Sequence, residues 1–261
     1  MAALKAVLWD VDGTLTESER DGHRVAFNQA FAEAGLAWQW DEAHYGDLLS
    51  ITGGRERLLH DMTMRSDAPT LPDERLALAQ ALHGRKNHHY AALVQGGGLA
   101  LRPGVQALMD ACTAQGVRMG IVTTTGRGNV EALLLRHLGP RWRERFAVLV
   151  CGEDVARKKP DPQAYTMALS ALGISALEAV AMEDSPGGVA AARAADVPVV
   201  VPLSAYFRHA TIEGAVAIGP GLHQRSGWRP GISAGLDAAE PVHLDDIRGW
   251  CQQMDLVSQF G

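Results

Sequence analysis

Apolar positions recur along this chain with two different periods, and the switching between them predicts the architecture. Val7, Leu8 and Trp9 form a continuous apolar run, the mark of a strand covered on both faces of a sheet. Short runs near 117–122, 146–150, 179–182 and 197–201 predict four further strands, with helical segments between them. Strands alternating with helices build a parallel sheet wound on both faces, so the fold class is α/β, a doubly wound, Rossmann-like parallel-sheet core. After the first strand the period turns helical from His23 to Val94, with Phe27, Ala30, Phe31 and Ala34 on one face and Gly35 closing it. Helices are expected near 41–49, 55–64 and 72–94; Thr52-Gly53-Gly54 breaks the insert and Gly96-Gly97-Gly98 returns the chain. This predicts a helical cap domain at 16–98 inserted into a catalytic core formed by 1–15 and 99–261. Pro103 suits the first turn of a helix that Gly116 ends, and Ser175 with Glu178 has capping-box spacing ahead of the fourth strand. The segment 219–241 is rich in Gly and Pro without periodicity, which predicts loop, followed by a short helix at 244–251.

Composition narrows the class of protein. With 261 residues and 47% hydrophobic content the chain can bury a large core, and its net charge of −6 argues against a nucleic-acid partner. Arg141-Trp142-Arg143-Glu144-Arg145 is the local exception, expected to be a solvated connection. Cys112, Cys151 and Cys251 are odd in number and widely spaced, as expected of reduced thiols in the cytoplasm. No apolar run approaches a membrane span, and Asp10 and Asp12 interrupt anything like a signal peptide. His60, His88 and His89 are expected to be solvated, the last two diverging by about 100° on a helix.

The chemistry is expected where strands end. The first strand runs into Asp10-Val11-Asp12-Gly13-Thr14, and two carboxylates two residues apart at a strand's carboxyl end can face one crevice. Such a pair suits a hard divalent cation, with one carboxylate free to act as a nucleophile. Thr123-Thr124-Thr125 follows the second strand and Glu183-Asp184 the fourth, while Lys158-Lys159-Pro160-Asp161-Pro162 precedes a helix expected to be capped by Asp161. Each has a structural explanation alone: caps, solvated lysines, turns. Together they set a nucleophile, a hydroxyl, a cation and two further acids on one rim.

In this order, Asp10-x-Asp12-Gly-Thr, Thr123, Lys159-Pro160 and Glu183-Asp184 resemble the four motifs of the haloacid dehalogenase superfamily. The resemblance implies an aspartyl-phosphate mechanism: Asp10 as nucleophile, Asp12 as acid and base, and Thr123 and Lys159 on the phosphoryl oxygens. It also implies Mg²⁺ held by Asp10, the Asp12 carbonyl, Glu183 and Asp184. The position of the insert is similar to that in the β-phosphoglucomutase-like group. Glu17-x-Glu19-Arg20-Asp21-Gly22-His23-Arg24, Thr52-Gly53-Gly54-Arg55-Glu56-Arg57, Thr123-Thr124-Thr125 and Lys158-Lys159-Pro160 resemble the CbbY phosphatases, which implies xylulose-1,5-bisphosphate as substrate.

A bisphosphate needs a second basic site, for which Arg55, Arg57 and Arg127 are candidates, with Thr124 beside the transferring group and Glu17 and His23 on the sugar or the linker. A monomer acting on a small sugar phosphate, without nucleic-acid or membrane partners, is the expectation. A sugar phosphomutase would use the same core motifs. A hydrolytic dehalogenase would not need Asp12, and a phosphoacceptor receiver, the non-enzymatic alternative, lacks a helical insert.

Overall fold

The computed structural model describes residues 3–232 and 239–258, with side chains to residue 253. Within these, six parallel strands form one sheet: β1 (Ala6–Trp9), β2 (Arg118–Val122), β3 (Val148–Val150), β4 (Ala179–Met182), β5 (Val199–Pro202) and β6 (Ala217–Gly219), in the order β3-β2-β1-β4-β5-β6. Every residue of β1 is buried because successive side chains enter different cores. Val7 and Trp9 pack with α5 (Val105–Ala114) and α6 (Arg127–Leu138), whereas Ala6 and Leu8 pack with α7 (Gln163–Leu172) and α8 (Pro186–Ala194). The doubly wound reading holds.

The winding order reverses at β1. The chain proceeds outward through β2 and β3, then returns to place β4 on the other side of β1, which opens a crevice at the strands' carboxyl ends. Register aligns those ends: Trp9 lies opposite Ile121 on β2 and Met182 on β4. The polar residues that follow each strand therefore leave the sheet side by side.

Between β1 and α5 the chain forms α1 (Arg24–Glu33), α2 (Glu42–Leu48), α3 (Gly54–Met64) and α4 (Pro72–Gln95), entered by a π-helical turn at Glu19–His23. These helices surround their own cluster of Phe27, Phe31, Trp38, Trp40, Tyr45, Leu58, Met62 and Leu82. At its base, Ala26, Tyr90 and Val94 join the cluster beneath the sheet, so the insert is rooted in the core. Ser175 and Glu178 form the capping box. The cap of α7 is Pro162 and not, as expected, Asp161, whose carboxylate accepts the Gln163 N–H (2.9 Å) from one residue further out.

Three further features differ from expectation. Strand β6 was not anticipated; three residues beside a Gly/Pro-rich stretch carry no alternation, and β6 is paired with β5 and through an antiparallel bridge between Ile218 and Arg229. The arginine-rich connection forms a 3-10 turn whose Arg143 and Arg145 pair with Glu131 and Asp110, while Trp142 and Phe146 are buried. The last helix, α9 (Leu244–Ser258), is longer than expected.

Part of 219–241, residues 233–238, lies outside the described residues. The remainder is fastened rather than loose. Trp228 stacks on Trp250 of α9 (4.7 Å between ring centroids), and the buried Arg225 guanidinium binds Asp246 (2.9 Å), Glu240 (2.9 Å) and His243 Nδ1 (3.0 Å). Cys112 and Cys151 are buried and Cys251 is half-buried. Among the described residues no helix is long and apolar enough to cross a membrane.

Arg225→Met keeps the side chain's bulk but leaves the Asp246 carboxylate buried without its counter-charge. A loss of about 3 kcal/mol is expected, read as a lower urea midpoint and a Tm reduced by several degrees.

Candidate active site

The crevice between β1 and β4 is built by turns that the sequence makes possible. Asp10 leaves β1 with its N–H still bonded to Met182 O (3.0 Å), and the chain then folds back tightly, Gly13 N–H bonding Thr16 O (2.8 Å). Gly13 has φ +86°, and a Cβ there would overlap the Asp184 carboxylate. Arg102 clamps this loop: its guanidinium donates to Gly13 O, Pro202 O (2.8 Å) and Leu203 O (2.5 Å), tying it to the end of β5.

Asp10, Glu183 and Asp184 converge at the floor, each buried, with ligand oxygens all within 4.8 Å of one another. Lys159 enters from the loop before α7 and donates to Asp10 Oδ1 (2.7 Å), Glu183 Oε1 (2.6 Å) and Val122 O (2.8 Å). Tyr165 OH donates to the same Glu183 oxygen at 2.5 Å. Burial, with the neighbouring acids, pushes the Asp10 and Asp184 carboxyls well above their usual range, despite Lys159 beside Asp10 and despite Ser204 and Arg102 near Asp184. Burial works against the Lys159 charge, but Asp10 and Glu183 outweigh it and hold the ammonium protonated. Three carboxyl groups share one ammonium, and Glu183 Oε2 is buried without a hydrogen-bond partner among the described residues. This oxygen-rich set can hold a metal, and it fits a hard divalent cation.

Asp12 stands apart from this cluster. It accepts from Ser18 Oγ (2.5 Å), His23 Nε2 (3.0 Å) and the Thr125 hydroxyl, and His23 in turn stacks on Tyr90 (4.2 Å). Burial would raise its pKa, but the His23 charge and hydrogen bond, with the two hydroxyls, hold the carboxyl below the usual range.

Asp10, Asp12, Thr124, Lys159 and Asp184 line one cavity of about 570 Å³ together with Glu19 and Arg57 of the insert. His23 lines an adjoining narrow recess. Thr123 is buried just behind the wall, its Oγ1 accepting the Thr125 N–H (3.2 Å). Of the three candidate arginines, Arg57 alone faces the cavity that contains Asp10, and it is engaged by Glu19 (3.1 Å), Tyr45 OH (3.1 Å) and Ile51 O (2.9 Å). Arg55 is half exposed in a separate recess, and Arg127 is held by Asp154 (2.5 Å). Glu17 turns away from Asp10, accepting the Ala205 N–H (3.0 Å) and pairing with Arg102 (3.3 Å).

Lys86 of α4 was not among the expected residues. Buried in the narrow recess with Asp12, His23 and Arg57, it lies 5.3 Å from the ring centroids of both Phe27 and Tyr90. Its one polar contact among the described residues is long, to Asn87 Oδ1 (3.4 Å), and burial lowers its pKa to about 8. The signal was present, since Ala79, Leu82, Lys86 and Tyr90 form one apolar stripe of α4 that a lysine interrupts. Insert and core also meet at Lys158 and Glu56 (2.8 Å), beside Lys159.

Residues 4–196 match the haloacid dehalogenase-like hydrolase family, and the chain belongs to it. It is an enzyme of the phosphoric monoester hydrolase class. It is 42% identical over 219 residues to the protein CbbY of Cupriavidus necator, covering 84% of this chain and 86% of that one. Its fold is similar to the crystal structure of CbbY from Rhodobacter sphaeroides in complex with phosphate, with a TM-score of 0.79, 36% identity, and 94% and 99% of the two chains covered. A mutant of that protein, crystallised with xylulose-(1,5)bisphosphate, matches with a TM-score of 0.79 and 38% identity over 86% and 97% of the chains.

Gly13→Ala puts a methyl group onto the Asp184 carboxylate and strains a positive φ. The variant is expected to fold, with a circular dichroism spectrum like the parent's, but to lose at least roughly 10²-fold in kcat because about 1 Å of misplacement costs that much.

Proposed function

We propose that this protein is a Mg²⁺-dependent sugar-bisphosphate phosphatase that works through an aspartyl-phosphate and takes xylulose-1,5-bisphosphate as substrate. The observation that carries the reading is the union of Asp10, Lys159 and Asp184 in one cavity with Asp12 held separately beside them. With Oδ1 engaged by Lys159, Oδ2 of Asp10 is assigned to attack phosphorus, breaking the bond to the sugar oxygen as Asp12 gives that oxygen its proton. Water then attacks the phosphoryl group, Asp12 takes the water's proton, and Asp10 leaves as carboxylate with inorganic phosphate. The donors around Asp12 favour its anion, so its protonation for the first step is ascribed to the like charge of the arriving phosphate. Lys159 is assigned to the equatorial oxygens, and Thr123, just behind the cavity wall, is the hydroxyl that the resemblance adds to it. Asp10, the Asp12 carbonyl, Glu183 and Asp184 would hold Mg²⁺, which supplies charge neutralisation between the carboxylate and the phosphoryl group.

The insert, 16–98, is read as the specificity domain. Arg57 and Lys86 are the cations it contributes toward the cavity, and Lys86, buried with weak polar contact, suits an anion at the far end of the substrate. The R. sphaeroides protein crystallised with a five-carbon bisphosphate supports this choice.

Phosphate release from xylulose-1,5-bisphosphate and its monophosphate counterparts, with Mg²⁺, tests the reading. The bisphosphate is expected to have the higher kcat/KM, and Lys86→Met to lower that value by roughly one to two orders of magnitude while a monophosphate changes little. Asp10→Asn is expected to abolish turnover. Isomerisation of a sugar phosphate without released phosphate would contradict the assignment.

Metal binding has its own readout. A carboxyl with a raised pKa binds protons more tightly when folded, so the metal-free protein loses stability as pH rises through the raised Asp10 and Asp184 values. The increase in Tm on adding Mg²⁺ is therefore expected to be larger at pH 8 than at pH 5 in thermal melts with and without chelator.

A further inference from the structure

Glu183 and Asp10 compete for one ammonium. Lys159 donates to both carboxylates at nearly equal distance, 2.6 and 2.7 Å, and its third hydrogen bond goes to the fixed carbonyl of Val122. The balance between the two acids thus depends on what else each carboxylate binds. Tyr165, fully buried on α7, donates to the very Glu183 oxygen that Lys159 uses, and its ring centroid lies 5.4 Å from Lys159 Nζ. Phenylalanine would fill the same space, and a buried hydroxyl is unfavourable without an acceptor, so packing alone does not account for a tyrosine here. From the opposite side Gly188 leaves room for Glu183 Oε2, which a Cβ would overlap.

We propose that Tyr165 is a positioning residue for the reaction: its hydroxyl fixes the Glu183 carboxylate and shares its charge, so that Lys159 stays with Asp10 and the phosphoryl oxygens. This rests on the phosphatase reading. Tyr165 touches no reacting atom and acts through Glu183 and Lys159. Loss of the hydroxyl leaves Lys159 as the remaining donor on Glu183 Oε1, and the ammonium is drawn off Asp10. The consequence falls on the chemical step, in which Lys159 must meet Asp10 and the phosphoryl oxygens together.

Tyr165→Phe is compared with the parent enzyme in saturating Mg²⁺, using p-nitrophenyl phosphate and xylulose-1,5-bisphosphate. The expected result is a kcat lower by roughly tenfold, KM within about twofold and Tm within a few degrees. Gly188→Ala, which pushes the same carboxylate from the other side and leaves the hydroxyl in place, is expected to give the same split. A Tyr165→Phe enzyme with the parent's kcat, or one whose KM changes in step with kcat, overturns the proposal. If Tyr165→Phe does not fold, Gly188→Ala decides: an unchanged kcat shows that the Glu183 position does not matter and overturns it as well. A parent inactive on every phosphate monoester removes the phosphatase reading and this proposal together, whereas an active parent matched by Tyr165→Phe removes Tyr165 alone.

Discussion

One ammonium makes this crevice compatible with a folded protein. Parallel strands in register bring Asp10 and Glu183 off neighbouring strand ends, with Asp184 immediately behind, and all three are buried, Asp10 and Asp184 against the cavity. Buried carboxylates without compensation neutralise themselves by taking protons. Lys159 supplies that compensation from a different part of the chain, and its bond to Val122 O anchors it to the sheet itself. Other details of the site follow from this arrangement: the loop at Gly13 must clear Asp184, Gly188 must clear Glu183, and Arg102 must hold the loop down.

The second acid is controlled differently. Asp12 is surrounded by donors, two hydroxyls and an imidazole, rather than by like charges. Two carboxylates two residues apart are thereby pushed in opposite directions, Asp10 toward the neutral form and Asp12 toward the anion, before any ligand is bound. Environments that separate titratable neighbours are how one crevice assigns different tasks to the same functional group.

Much of this was legible in the sequence because it depended on local rules. A buried strand reads as an apolar run, and Asp10, Asp12, Thr123 and the Glu183-Asp184 pair lie where such runs stop, with Lys159 ahead of a helix; each alone has a structural explanation, and it is their combination that marked a site. What escaped depended on distant partners. Strand β6 has three residues and exists because β5 and Arg229 offer hydrogen bonds to it. Arg127 follows the threonine loop as a phosphate ligand would, yet Asp154, near in space but distant in the chain, claims it. Lys86 escaped for the opposite reason: lysine is ordinarily a surface residue, so a charge within the helical stretch 72–94 gives no sign of its own that it is buried.

The register that aligns β1 with β4 also sets an order of events during synthesis. Strand β1 is central, so it emerges first with two unpaired edges, and its neighbour β2 is not made until more than a hundred residues later. At ribosomal rates of about 5–20 residues per second, Asp10 waits roughly 9–35 seconds for Glu183 and Asp184. During that interval the insert can gather its aromatic cluster locally, occupying the nascent chain with contacts of its own. The helices that separate the first strand from its partners thus occupy the interval in which an apolar strand would otherwise be most available to the wrong neighbour.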